Sequence, residues 1–235
     1  MKPQTYAIIL AGGRGMRLKS DVPKQFLPLG TRPVIAWSLH ACNSSEAVDR
    51  ILVVIPDEFA SRIQEMVDRY KFHKVKKIIP GGSTRQESAF NAVQFLDYND
   101  DDILLFHDAA RPFVTQDMIR GCIEAAREHG AAAVYVPVQD TIAEIVDGFA
   151  VSVPPRERFY SAQTPQAFSY SVTRRAHLYG AGSPATDDAS LAINAGIPVK
   201  MVPGDSSNFK ITTDIDYRSA CLTAEHILKK KFGKS

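Results

Sequence analysis

The sequence predicts an α/β protein: a mostly parallel sheet covered by helices on both faces, with a projecting β-hairpin arm. Three observations carry this. Short apolar runs alternate with segments of helical period along most of the 235 residues. Polar clusters follow several of the apolar runs, at the edge where an open α/β sheet binds its ligands. Between Asp140 and Thr164 the alternation gives way to TIAEIVDGFAVSVPPRERFY, whose apolar–polar alternation and Asp147-Gly148 turn are those of a hairpin.

The elements follow in order. Tyr6 to Leu10 is a short apolar run closed by glycines, the mark of a buried strand. A helix is expected near Pro33 to Ala41, then a strand at Ile51 to Pro56 and a helix around Phe59 to Tyr70. Lys77 to Ile79 reads as a short strand ended by Pro80-Gly81-Gly82, with a helix from about Arg85 to Leu96 behind it. Ile103 to Phe106 is another buried strand. In Gln116 to His129 the apolar positions Met118, Ile119, Cys122 and Ala126 share one helical face, and Gly130 suits the C-terminal cap. A strand begins near Ala132. Beyond the arm come helical patterns at Ser171 to Tyr179 and Asp187 to Ala195, a strand around Val199 to Val202, and a terminal helix over about Asp214 to Lys230. With no internal repeat, low-complexity tract or linker, a single domain over 1–235 is expected, its arm at about 139–163.

Bulk properties narrow the function. Hydrophobic residues make up 45% and charged residues 23%, and the net charge is +2, values that point to neither nucleic acid nor membrane as a partner. The basic run Lys229-Lys230-Lys231 suits a solvated helix end. No apolar run approaches a membrane span, and the N-terminus lacks a signal-peptide core. Cys42, Cys122 and Cys221 match no zinc or disulfide spacing, as expected of reduced thiols in a cytoplasmic protein.

The chemistry gathers in the polar clusters. After the first strand, Gly12-Gly13-Arg14-Gly15 leads to Arg17 and Lys24. Glycines there let backbone N–H groups approach an anion, and the cations add the charge a triphosphate needs. The loop is not a dinucleotide fingerprint, because Leu18 stands where the third glycine belongs, nor a Walker loop, because no Gly-Lys-Ser/Thr closes it. Gly81-Gly82-Ser83, with Ser88 one turn inside the next helix, can offer polar groups to a base or ribose, or serve as a helix N-terminal turn. Asp108, in His107-Asp108-Ala109-Ala110-Arg111-Pro112, sits at a strand end and can hold ribose hydroxyls, a magnesium ion or a polyol, or can cap the next segment and pair with Arg111. His107 has no partner at metal-ligand spacing and reads as structural. Arg156 and Arg158 on the arm, with Lys210, can form a cationic pocket for a second phosphate or lie as separate surface charges.

Taken together, LAGGRGMRL, PKQF, GGSTRQES, HDAARPF, PVQDT, QTPQAF, TDDAS and NFKITT, in this order over nearly the whole chain, resemble the 2-C-methyl-D-erythritol 4-phosphate cytidylyltransferase family. The resemblance implies a Rossmann-like core with an arm exchanged in a homodimer. It also implies transfer of CMP from CTP to methylerythritol phosphate, with Mg2+ bound mainly through the CTP phosphates. On matching positions, Ala11, Gly12, Gly13 and Gly15 form the phosphate loop. Arg17 and Lys24 hold the triphosphate. Gly82, Ser83, Ser88, Asp108 and Ala109 surround cytosine and ribose. Asp108, Arg111, Thr141, Arg156, Thr164 and Lys210 position the acceptor, some across the dimer, and Arg156 and Lys210 grip its phosphate. The catalytic group is then Arg17, Lys24, Arg156 and Lys210, with no protein-bound metal. Ribitol-5-phosphate cytidylyltransferases share LAGG, PKQF, QTPQ and KITT-like blocks, so ribitol phosphate is the alternative acceptor. A non-catalytic nucleotide-binding protein of the same fold is the reading from a different class.

Overall fold

Side chains alternating along the first strand enter two separate core layers. In the computed structural model, which describes residues 2–13, 22–180 and 185–232, β1 (Thr5–Leu10) sends Ala7 and Ile9 to one face and Tyr6, Ile8 and Leu10 to the other. Both sets are buried, which is why the strand is apolar throughout rather than amphipathic. The remaining elements are β2 (Pro28–Leu29), β3 (Arg32–Pro33), α1 (Val34–Ser44), β4 (Arg50–Ile55), α2 (Ala60–Tyr70), β5 (Val75–Pro80), α3 (Arg85–Gln94), β6 (Ile103–Asp108), α4 (Gln116–His129), β7 (Ala131–Pro137), β8 (Glu144–Val146), β9 (Phe149–Ser152), β10 (Tyr160–Ser169), α5 (Tyr170–Gly180), α6 (Asp188–Asn194), β11 (Lys200–Pro203) and α7 (Asp214–Phe232).

Seven strands form one sheet in the order β11-β7-β10-β6-β1-β4-β5. The pairings of β1 with β4 and β6, of β4 with β5, and of β7 with β11 are parallel. Only β10 runs against its neighbours, β6 and β7. One face packs Ile35 and Leu39 of α1, Ile63 of α2 and Ile119 and Cys122 of α4 against Ile9 and Val53. The other packs Ala89 and Val93 of α3 and Leu191 of α6 against Ile8, Val54 and Phe106. A third cluster docks Ala220 and Ala224 of α7 on Leu29, Val34 and Ile211. The expected doubly covered, mostly parallel sheet is the one observed.

Two expectations change. The strand expected at 77–79 runs from Val75 to Pro80. More consequentially, the arm is shorter than the alternating stretch. Its hairpin is β8 paired with β9, closed by Asp147 and Gly148 at φ 51° and 85°, the left-handed pair of a two-residue hairpin turn. Residues 160–163, assigned to the arm from sequence, begin β10 of the central sheet instead. Pro165 and the polar Gln163, Thr164 and Gln166 disguise that strand, yet all three polar side chains are buried with partners. The ladder shifts register between Ala162 and Gln166, which turns Thr164 toward the site.

Candidate active site

Because β1, β4, β5 and β6 are parallel, their carboxyl ends open on one edge, and a cavity of about 760 Å3 lies there. Ala11, Gly12 and Gly13 form its floor beyond β1. Gln25, buried beneath, donates from Nε2 to the Ala11 carbonyl at 3.0 Å and fixes the start of the loop. A Cβ on Gly12 would stand 3.5 Å from Ser88 Oγ, so the glycine loop and the β5–α3 turn converge. That turn is set locally. Thr84 caps α3 by accepting from Glu87 N, Glu87 accepts from Ser83 N and Oγ, and Ser88 Oγ accepts from Gly82 N at 3.0 Å while donating to Thr84 O. A Cβ on Gly82 would collide with the Glu87 side chain, which explains the glycine there. Lys24, in a short 3-10 turn, reaches across to donate from Nζ to the Ile211 carbonyl at 2.9 Å.

A second cavity of about 200 Å3 adjoins the first, bounded by Arg111, Ala162, Gln163, Thr164, Gln166, Thr186 and Asp187. Arg85, Asp108 and Lys210 line both. Asp108 is surrounded by cations: Arg85 Nε stands 3.4 Å from Oδ1, while Lys210 Nζ and Arg111 Nε stand 2.8 and 3.8 Å from Oδ2. Burial opposes ionisation of Asp108, but Arg85, then Lys210 and Arg111, outweigh it and hold the carboxyl well below the usual carboxylate range. The junction therefore carries one fixed carboxylate among three cations, a setting for anionic groups that meet there.

Behind the junction the fully buried His107 ties three of these residues together. Its Nε2 stands 3.1 Å from the Arg111 carbonyl, which can only accept, so Nε2 carries the proton. Nδ1 then accepts from the Thr164 hydroxyl at 3.0 Å, and that oxygen in turn accepts from Asp108 N at 3.0 Å. Burial is the main cause that pulls the imidazole down to about 4, so the ring is neutral near pH 7. Asn208, also buried, donates to Gln163 Oε1 and to the Thr164 carbonyl, and its own carbonyl accepts from Arg111 Nη1 at 2.8 Å.

Comparison with known proteins shows the family. Residues 5–230 match the family model IspD, 2-C-methyl-D-erythritol 4-phosphate cytidylyltransferase. The chain belongs to the 2-C-methyl-D-erythritol 4-phosphate cytidylyltransferase family. It is 40% identical to the enzyme of that name from Geobacter metallireducens, over 96% of this chain and 98% of the relative, and 41% identical to that of Syntrophotalea carbinolica, over 90% and 92%. Among solved structures, the 4-diphosphocytidyl-2C-methyl-D-erythritol synthase of Anaerococcus prevotii superposes with a TM-score of 0.83 at 28% identity, covering 95% of this chain and 96% of that one. The cytidylyltransferase of Thermus thermophilus gives 0.75 at 31%, covering 94% and 99%. The Rossmann-like core and the nucleotidyl-transfer activity are thus those of the cytidylyltransferase family.

Of the positions expected to serve this cytidylyltransferase, the structure gathers Ala11, Gly12, Gly13, Lys24, Gly82, Ser83, Ser88, Asp108, Ala109 and Lys210 around the larger cavity, and Arg111 and Thr164 around the smaller. Gly15 and Arg17 lie outside the described residues. Thr141 and Arg156 are exposed on the arm and line neither cavity within one chain, and Arg156 Nη1 donates to the Gln139 carbonyl at 2.9 Å. The sequence places Arg85 in a polar cluster at a strand end without marking a role for it, and it does not single out Thr186 and Asp187 of TDDAS. Their spacing resembles helix caps, and Asp187 is one. The packing of α6 against the sheet brings Thr186 and Asp187 to the site, and Arg85 arrives there at the start of α3.

Proposed function

We propose that this chain transfers CMP from CTP to 2-C-methyl-D-erythritol 4-phosphate, forming 4-diphosphocytidyl-2-C-methyl-D-erythritol and pyrophosphate. The observation that carries the reading is the pair of adjoining cavities, one large enough for a nucleotide, joined at Arg85, Asp108 and Lys210. CTP would occupy the larger cavity, its base near Gly82, Ser83 and Ser88, its ribose near Asp108 and Ala109, and its phosphates over Ala11, Gly12, Gly13 and Gly15 with Arg17 and Lys24. The acceptor would occupy the smaller cavity, held by Asp108, Arg111, Thr164 and Lys210.

An oxygen of the acceptor phosphate attacks the α-phosphorus, the bond from that phosphorus to the bridging oxygen breaks, and pyrophosphate leaves with the electron pair. The nucleophile is already ionised near neutral pH, so no general base is needed. Catalysis rests on alignment of two anions and on cations placed where charge shifts. Mg2+ would be carried mainly by the CTP phosphates. Asp57 and Glu58 on the same wall are available to its water ligands. When bound, Mg2+ would neutralise charge on the triphosphate.

The enzyme would act as a homodimer through the arm. Phe149, Val151 and Val153 are all more than half exposed, on a hairpin too small to be stable alone, and a second subunit would cover them. Such a partner would also bring Thr141 and Arg156 to the acceptor side. The free cysteines suit a cytoplasmic location. Phosphorus NMR of protein mixed with CTP, Mg2+ and methylerythritol phosphate tests the reaction. The coupled resonances of an unsymmetrical pyrophosphate diester, rising with free pyrophosphate, are expected, and CTP left intact would reject it.

A further inference from the structure

We propose that Arg85 is a positioning residue for the acceptor side of this reaction, holding the Asp108 carboxylate in place from a clamp whose outer jaw is Asp188. The proposal rests on the reaction proposed above. Arg85 begins α3, Asp108 ends β6 and Asp188 begins α6, so one guanidinium joins three separate elements. Its Nη1 lies 2.9 Å from Asp188 Oδ2 and its Nε 3.4 Å from Asp108 Oδ1. Both carboxylates are nearly buried, with side-chain exposures of 6% and 10%.

The distribution of partners on Asp108 separates Arg85 from the other cations. Lys210 and Arg111 share Oδ2 and border the smaller cavity, where an anionic acceptor would compete for them; Arg85 borders it too, but its Nη1 is held by Asp188. Among the described residues, Arg85 is the cation on Oδ1. When Lys210 turns toward an incoming phosphate, Asp108 loses its 2.8 Å partner, and Arg85 is the cation that remains to hold the carboxylate charged and aligned. Arg85 is suited to this because it is not free to follow the substrate. Asp188, then Asp108, more than offset the effect of burial on its charge, and Asp188 tethers it. Asp188 itself lines neither cavity. It is fastened by α6, whose capping box joins Asp187 and Ser190 and whose Ala189 N donates to Gln166 Oε1 of β10. A planar fork is required to span two carboxylates in this way, and lysine offers only a point charge.

Asp188→Asn tests the claim, because it preserves shape, removes the outer charge and touches no substrate cavity. We expect kcat/KM for methylerythritol phosphate to fall about tenfold, the scale of one charge-assisted hydrogen bond. CTP binding measured calorimetrically without acceptor should stay within about twofold, since the larger cavity has its own glycine loop, Lys24 and Ser88 contacts. Arg85→Lys should lower acceptor kcat/KM at least as much, and because Arg85 also lines the larger cavity the CTP control rests on Asp188→Asn. In an Arg85→Met background the Asp188→Asn penalty should vanish, because the second residue acts through the first. Unchanged acceptor kinetics in both Asp188→Asn and Arg85→Lys would overturn the proposal. So would parallel losses in CTP binding, acceptor kinetics and melting temperature, the result for a tie that only holds α6 to the sheet. Wild-type protein that makes no product would instead overturn the reaction, which keeps the two failures apart.

Discussion

Lys24 and Lys210 approach one another through a single backbone step, because Lys24 Nζ donates to the carbonyl of Ile211. In the proposed reaction Lys24 would serve the triphosphate and Lys210 the acceptor phosphate. Lys24→Ala should lower kcat by about 10²-fold or more, the scale of losing one electrostatic stabiliser, with a smaller change in CTP affinity. Steady-state kinetics beside equilibrium CTP binding checks this, and near-normal turnover would remove Lys24 from the mechanism. His107 makes a different prediction. Its folded value of about 4 lies below the ordinary 6.5, so the unfolded chain binds the extra proton between those values. The stability its neutrality provides is complete above about pH 6.5 and is lost as pH falls toward 4, to a total of about 3 kcal/mol. Urea unfolding of wild type and His107→Gln between pH 7.5 and 4.5 should show a steeper decline in wild type, and equal slopes would contradict the assignment. At this scale the start of the glycine loop and Asp108 at the cavity were legible because small or charged residues follow apolar strands, whereas Lys24 and Lys210 were marked by the family resemblance. The hydroxyl–imidazole–carbonyl chain through His107 was not, since its partners lie 57 positions away or on the backbone.

β10 and the arm show what element-scale periodicity captures and misses. Parallel strands buried on both faces read as apolar runs, and β1, β4 and β6 were found on that basis. β10 carries Gln163, Thr164, Pro165 and Gln166 in succession, a loop-like composition, and is nevertheless buried because Asp205, His107 and Asp187 satisfy those side chains. No local pattern announces partners supplied by other elements. The arm was legible from its Asp-Gly turn and alternation, but its end was not, since the polar residues after Tyr160 carry no apolar run to mark the return to the sheet. Its exposed apolar residues lead to an expectation: sedimentation velocity should show a homodimer, with Phe149→Asp together with Val151→Asp shifting it toward monomer. Mixed dimers of Lys24→Ala and Arg156→Ala chains should then recover activity in one of their two sites if Arg156 serves the neighbouring subunit. A stable, fully active wild-type monomer would remove the arm from dimerisation.

At the scale of the whole molecule, the parallel sheet explains why the site is where it is. Strands β1, β4, β5 and β6 deliver glycines, turn residues and Asp108 to one edge, the reversed β10 delivers Thr164, and the segment after β11 delivers Asn208 and Lys210. Two cavities result, and the account stands on their holding a nucleotide and a polyol phosphate that react at the junction. The most direct test is pyrophosphate release with CTP and Mg2+ in the presence of methylerythritol phosphate, of ribitol 5-phosphate, or of neither. Rapid release with methylerythritol phosphate alone, at a kcat/KM at least about tenfold above that with ribitol 5-phosphate, is the expected result. Preference for ribitol 5-phosphate, or release with neither acceptor, would contradict it.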